Sequence, residues 1–199
     1  MNVTEEPFIT ADECERILEQ LSAVGDHCTM RGDGFLTLGA ARYLDDAHTY
    51  YHLARDTRAI MLMQFQSLYD HLCNWFDAEL TFRAALPGFH IFNHAASGQV
   101  ASIHTDEHHH AIPWHAPVLS QTSFTVPLQL PNAGGGLVMY NADGTARETI
   151  EYTVGRIYTH DGATPHQIDS TRPMGKGDWR ITLQGHCVEL CDNTRFLFF

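Results

Sequence analysis

The sequence is short of several things, and each shortage excludes something. No apolar run approaches the roughly 20 residues that a membrane-spanning helix needs, so no helical membrane segment is expected. Basic residues are few: 12 Lys and Arg stand against 24 Asp and Glu, a formal net charge of −12 with histidines neutral. Such a surface repels phosphate backbones and anionic lipid. Neither nucleic acid nor a membrane is therefore an expected partner. A small anionic ligand is not excluded, because one or two local arginines decide that. The amino terminus, MNVTEEPFITADECERI, places acids where a secretory signal would place positive charge and then an apolar stretch, so a cytoplasmic location is expected. The five cysteines, at positions 14, 28, 73, 187 and 191, are odd in number and follow no signal peptide, which points to reduced thiols. Cys187 and Cys191 have the spacing of half a zinc site, but no second cysteine pair stands nearby. Two semi-buried thiols are the simpler reading. There is no internal repeat, low-complexity stretch or linker, and 199 residues fit one domain with a core of its own.

What the chain has in excess is histidine. There are 14, and seven fall between positions 90 and 115: His90, His94, His104, His108, His109, His110 and His115. The cluster is internal and interrupted, unlike a tag. Histidine is the commonest metal ligand, so chemistry is to be sought there.

Two helices are expected in the first 85 residues, which read as mostly helical support. Thr10 with Glu13 has capping-box spacing, and Ile17, Leu18, Leu21 and Val24 then recur at helical intervals. A second helix is expected from about 57 to 79, its stripe of Met63, Phe65, Leu68, Leu72, Trp75 and Phe76 suited to packing on a sheet. Residues 25–56 read as irregular, with RGDGF as a turn. Arg42, Tyr43, Asp45 and Asp46 are candidates for a substrate loop there. From 86 to 190 the character changes to short β-rich runs: FHIFNH, QVASIH, SFTVPLQL, GLVMYN, ETIEYTV, GRIYTH, HQIDS and DWRITLQGHCVEL. Short strands punctuated by Gly, Pro and Asn suggest a barrel or double-sheet jelly roll. The fold class is thus mainly β with buttressing helices.

Within that core, His104-Thr105-Asp106 ends the run QVASIHTD. Side chains alternate along a strand, so positions i and i+2 share a side. His166 opens the run HQIDS. Two histidines and one carboxylate suit non-haem Fe(II) and leave positions open, whereas a structural zinc site closes with a fourth protein ligand. An HxD pair alone is common by chance. Arg180 adds weight. It stands 14 residues after His166, with Thr182 on the same strand face, and a guanidinium fork grips a carboxylate in two places.

On these residues the chain resembles the Fe(II)/2-oxoglutarate-dependent oxygenase superfamily, over roughly residues 88–188. PLQLPNAGGGLVMY and GRIYTHDGATPHQI are similar to that superfamily's turn and strand elements. The resemblance implies a double-stranded β-helix, a cupin-like jelly roll. It implies that His104, Asp106 and His166 bind iron, that Arg180 pairs with the C5 carboxylate of 2-oxoglutarate, and that Thr182 adds a hydrogen bond. The co-substrate would chelate the metal through its 1-carboxylate and 2-oxo group and, with dioxygen, leave as succinate and CO2. Ascorbate would serve as an additive in vitro. Some relatives replace the carboxylate ligand to admit halide; here Asp106 is intact, which favours hydroxylation, desaturation or ring formation. A small molecule such as an amino acid or natural-product intermediate is the expected substrate. A prolyl-hydroxylase-like activity on a peptide or protein is the alternative, as is a cupin-type metalloprotein that does not use 2-oxoglutarate.

Neighbouring residues divide less cleanly. Glu107 should face away from Asp106. His108, His109 and His110 form either a rim over the metal or a solvated loop. His90, Trp114, His115 and Arg156 are candidate substrate residues, with Arg172 a further candidate partner for a carboxylate. Gln99, Ser102, Ser123 and Thr125 are candidate pocket-lining residues. Asp161 should fix the turn before His166. His186 shares Arg180's strand face, so it stands either behind the metal ligands or at the end of the barrel.

Overall fold

The computed structural model describes residues 3–96, 102–169 and 175–199. The chain opens with β1 (Thr4–Pro7) and α1 (Ala11–Ala23). The capping box forms as expected: Thr10 Oγ1 accepts from the Glu13 amide at 3.3 Å, and Glu13 accepts from the Thr10 amide at 2.8 Å. The stretch expected to be irregular is instead a hairpin, β2 (Thr29–Gly32) and β3 (Phe35–Leu38), followed by the start of α2 (Ala47–Phe76). Gly34 makes this turn at φ +71°, where a Cβ would collide with Asn93 Oδ1 and the Ala96 nitrogen. The second helix therefore begins ten residues before the expected position. Asp46 caps it, accepting from the Thr49 amide at 2.8 Å.

The strands that follow are β4 (Glu79–Leu80), β5 (Gly88–Asn93), β6 (Val118–Gln129), β7 (Leu137–Tyr140), β8 (Ala146–Ile150), β9 (Arg156–Asp161), β10 (His166–Ile168), β11 (Trp179–Leu190) and β12 (Arg195–Phe198). The larger sheet runs β1-β9-β6-β11-β5-β3-β2, with β12 beside β11 and β4 beside β12. The smaller sheet runs β10-β7-β8. All pairings are antiparallel except β12 with β4. This is the expected two-sheet jelly roll.

The run QVASIH is a correction. Residues 97–101 lie outside the described residues, and the segment from Ser102 to Asp106 is not a strand but a single bridge, His104 to His166. The expected strand ETIEYTV is also shorter, ending at Ile150.

Strand β11 organises the rest. It lies between β6 on one side and β5 and β12 on the other. Its odd-numbered residues Leu183 and Cys187 enter the main core with Phe89 of β5, Val126 of β6, Ile17 of α1 and Phe65 of α2. Each such large apolar side chain contributes roughly 1.5–3 kcal/mol by leaving water. The even-numbered Arg180, Thr182 and His186 are buried on the opposite face, between the two sheets. One face of the sheet therefore carries the core, and the other is free for polar groups.

Candidate metal centre

Two chain segments bring His104, Asp106 and His166 together. The bridge holds the first and last: the His104 amide donates to the His166 carbonyl at 3.0 Å, and the reverse bond is 2.9 Å. The Asp106 amide donates to the Gly162 carbonyl at 2.7 Å, and Gln121 Nε2 donates to the Asp106 carbonyl. The three side chains each offer one ligand atom, all within 4.8 Å of one another. His166 Nε2 stands 3.4 Å from Asp106 Oδ2, and His104 Nε2 stands 3.7 Å from Oδ1. Glu107 points out, its side chain 53% exposed against 14% for Asp106.

Tautomers follow from the partners. His104 Nδ1 lies 2.7 Å from the Ser102 carbonyl, and His166 Nδ1 lies 2.9 Å from the Thr164 carbonyl. A carbonyl only accepts, so each Nδ1 carries the proton. In the neutral rings the Nε2 lone pairs then face a carboxylate. Lone pairs and an anion converging without a cation between them is unfavourable. With a divalent ion they become ligands, and the backbone carbonyls behind them fix the rings. Ligand atoms about 2.1 Å from an ion stand about 3–4 Å apart, which the distances here match. The donor set thus fits a borderline metal such as iron(II).

The shifts of Asp106 and His104 go with this geometry, and that of His166 reflects its contact with the carboxylate. Burial pushes the Asp106 carboxyl up, but the surrounding histidines outweigh it and hold the group well below the usual carboxylate range. Burial lowers His104. For His166, burial acts downward, but the Asp106 carboxylate raises it overall.

The cluster opens on a cavity of about 350 Å³ between the sheets. Its deep wall carries Arg180, 3% exposed. Arg180 Nε donates to the Gly135 carbonyl at 2.8 Å, and Nη1 donates to Thr182 Oγ1 at 3.3 Å. That carbonyl is aimed by the turn PNAGGG, in which Gly134 and Gly135 both hold φ near +80° (74° and 80°), conformations that favour glycine. No carboxylate pairs with Arg180 among the described residues. Burial lowers its pKa from the ordinary value. A buried cation without an anion is costly, and the open side of this guanidinium faces the cavity. A carboxylate-bearing ligand fits it.

The sequence candidates sort as follows. His90 lines the cavity, its Nε2 3.1 Å from the Tyr43 hydroxyl. Burial pulls its pKa down to about 3, aided by Arg180. Ser102, Ser123 and Thr125 also line the cavity. Thr182 does not: it is fully buried beneath Arg180, accepting from it and from Gln184 at 3.2 Å. Trp114, His115 and Arg156, the other candidate substrate residues, do not line this cavity. Trp114 packs on Phe196 and Phe198 and donates to the His109 carbonyl. His115 pairs with Asp192 at 2.9 Å on the surface. Arg156 forms an ion pair with Glu5 at 2.6 Å. Gln99 and Arg172 lie outside the described residues. Asp161 does fix its turn, accepting from the Ala163 amide at 2.9 Å. Cys187 is buried and Cys191 exposed, and neither belongs to a metal-binding group among the described residues.

Some cavity residues had weak sequence signals or none. Tyr43 had only its place in a candidate loop. That loop is pinned by a buried pair, Arg31 with Asp45 at 2.6 Å, and by Asp45 accepting from the Ala41 amide. Tyr152, Leu137 and Ile168 also line the cavity. Gln184 was legible in principle, since it stands four residues after Arg180 on the same strand face. A larger cleft of about 490 Å³ lies on the other side of the Asp106 segment, but neither His166 nor Arg180 reaches it.

No family model matches the sequence, and no curated protein matches it. Solved structures do match. An N-substituted L-amino acid dioxygenase from Burkholderia ambifaria aligns over 99% of this chain and 86% of its own, with a TM-score of 0.66 and 13% identity. The same dioxygenase in complex with alpha-ketoglutarate aligns over 100% and 86%, with a TM-score of 0.65 and 10% identity. An oxidoreductase of the 2OG-Fe(II) oxygenase family from Burkholderia pseudomallei aligns over 92% and 82%, with a TM-score of 0.51 and 12% identity. At these identities the likeness is one of fold. The chain has the double-stranded β-helix fold of the iron(II)/2-oxoglutarate oxygenases.

Proposed function

We propose that this chain is an iron(II)- and 2-oxoglutarate-dependent oxygenase that hydroxylates a small molecule in the cytoplasm. Residues 86–190 form its catalytic core, and residues 1–85 support it within a single domain. One observation carries the reading: His104, Asp106 and His166 converge on a cavity whose wall holds Arg180, a buried cation with no carboxylate partner among the described residues. Iron would be held by the three side chains. Arg180 would take the C5 carboxylate of 2-oxoglutarate, with Thr182 bracing the guanidinium from behind.

When bound, iron and 2-oxoglutarate supply an oxidising chemistry in which dioxygen is consumed, the co-substrate leaves as succinate and CO2, and a substrate C–H bond is oxidised. The chain's own part is placement. The Ser102 and Thr164 carbonyls hold the ligand rings at fixed tautomers. Gln121 and the Gly162 carbonyl fix the Asp106 backbone. The apolar side chains of Leu137 and Ile168 shield the inner end from water. The cavity volume lies within the range usual for small-molecule sites, and it must also admit the co-substrate. The Burkholderia neighbour that is a dioxygenase of N-substituted L-amino acids supports the same substrate class.

The test is an anaerobic titration of the folded protein with Fe(II) and then 2-oxoglutarate. A weak visible absorption is expected only when both are present. Its absence in an iron-loaded sample would refute the reading. Aerobically, with ascorbate present, a panel of amino acids and small metabolites is screened for succinate release. Asp106→Ala should abolish coupled turnover while the circular dichroism spectrum stays that of the wild type.

A further inference from the structure

The Asp106 carboxylate has a second set of imidazoles around it. Besides His104 and His166, His108 Nε2 stands 3.6 Å from Asp106 Oδ1. Asp106, His108 and His186 each offer one ligand atom, and these three atoms also lie within 4.8 Å of one another. The two triads share the carboxylate and nothing else.

The two added histidines come from different elements. His186 projects from β11 on the face that carries Arg180, and it is buried. Ser123 of β6 holds it from behind, its Oγ 3.0 Å from His186 Nδ1. With Nδ1 donating to that hydroxyl, the Nε2 lone pair is left for an ion, the arrangement seen for metal-bound imidazoles oriented by an outer partner. His108 stands on the short turn after Asp106, its side chain 19% exposed. Its ring lies 5.5 Å from that of His186 and 5.8 Å from that of Tyr43. Neighbouring His110 is 70% exposed, and His109 is turned away to Gln121 at 2.7 Å. Of the three consecutive histidines, only His108 reaches the carboxylate.

The separations distinguish an ion site from a hydrogen-bonded cluster. An N–H to carboxylate bond runs at about 2.7–2.9 Å. In the second set the His108 nitrogen stands 3.6 Å from Asp106 Oδ1, and the His186 ligand atom lies within 4.8 Å of both. These are the spacings of donors around an ion. Two imidazoles with one carboxylate suit a borderline divalent metal.

We propose that Asp106, His108 and His186 form a second divalent-cation site, which shares the Asp106 carboxylate with the His104–Asp106–His166 site. It takes an ion of the zinc or cobalt kind, completed by water from the cavity. His108 places it on the Tyr43 side of the first site. The proposal rests on the first site only in sharing Asp106.

The experiment is an anaerobic Co(II) titration of the full chain, read by visible absorption and by metal analysis after dialysis. Wild type should bind two equivalents. His108→Ala and His186→Gln should each bind one, or show at least a tenfold weaker second site. His108 is a loop residue, so its substitution leaves the fold out of the comparison. His166→Gln should weaken the other site instead. The double variant His109→Ala/His110→Ala should keep both equivalents, which separates the site from adventitious binding to the exposed histidines. One equivalent in wild type, lost in His166→Gln, would overturn the second site and leave the first. Two equivalents retained in both His108→Ala and His186→Gln would also overturn it. No binding at all would overturn both sites together.

Discussion

Replacing Arg180 with methionine should move ligand affinity and protein stability in opposite directions. The guanidinium is 3% exposed and has no anionic partner among the described residues. Burying an ion without its partner costs several kcal/mol after relaxation. The ring faces of Phe92 and Tyr152, at 5.7 and 5.9 Å from the guanidinium carbon, return part of that. Methionine keeps most of the volume and removes the charge. It also leaves the Gly135 carbonyl without its donor, a loss of about 1 kcal/mol. The net expectation for the empty protein is a gain of about 1–2 kcal/mol, or roughly 2–8 °C in Tm for a domain of this size. For 2-oxoglutarate the sign reverses. Losing one partner of a buried charge pair costs about 2–5 kcal/mol, which weakens binding roughly 30-fold to a few thousandfold. Thermal unfolding with and without 2-oxoglutarate reads both effects. In wild type the co-substrate should raise Tm; in Arg180→Met it should not, while the ligand-free baseline rises. An unchanged affinity would mean that another group grips the carboxylate. A lower ligand-free Tm would mean that Arg180 is a structural ion, and the reasoning from its unpaired charge would fail.

Two further outcomes follow from the same site. His90 titrates near 3 in the fold against an ordinary 6.5, because burial and then Arg180 disfavour its charge. The unfolded chain therefore takes up this proton first. His90's contribution is fully present above pH 6.5 and is lost as pH falls from 6.5 toward 3. Between pH 6.5 and 5, His90→Gln should lose about 2 kcal/mol less stability than wild type in urea denaturation; equal slopes would refute the assignment. Gln121→Ala removes the side chain that fixes the Asp106 carbonyl and His109, and loss of such a brace should weaken the His104–Asp106–His166 metal affinity about 10- to 100-fold. An unchanged metal Kd would show that the Gly162 contact alone suffices.

What the sequence disclosed depended on whether a residue stands on a strand. Arg180, Thr182 and His186 share a face of β11 by simple alternation, and the fold kept that alternation. The region 29–38 did not look like a hairpin because its strands are four residues long with mixed burial, which erases a period of two. The first turns of α2, AHTYYHLARD, carry few apolar residues, so the helical period began only at the later Met-and-aromatic stripe. His108 was ambiguous for a related reason. In a short turn no periodicity says which of three consecutive histidines points inward. Trp114 and His115 lie away from the cavity, against Phe196, because histidine and aromatic richness marks both a site and a packed surface. The pairing of His104 with Asp106 was correctly placed on one side, though its basis differs. The bridge to His166 and the Gly162 carbonyl set it, not a continuous strand.

The charges in the cavity carry one further consequence. Among the described side chains that line it, Asp106 and Arg180 are the fixed charges, one negative and one positive. His90 and His160 also line it and are held neutral by burial, their pKa values pulled down to about 3 and about 4. With the lining imidazoles neutral, the empty site is therefore balanced. An iron(II) ion brings two positive charges and 2-oxoglutarate two negative ones, so the site is balanced again when both are bound. With either alone, two uncompensated charges sit where the effective dielectric constant is low. Metal and co-substrate should thus bind cooperatively, each tightening the other by the same factor, as linkage requires. A coupling of about 1–3 kcal/mol corresponds to roughly 5- to 150-fold. Titrating 2-oxoglutarate against protein with and without Mn(II) as a redox-silent stand-in measures it. Equal affinities in the two titrations would mean that water or further groups screen the two charges from each other, and the charge-balance reasoning would be wrong.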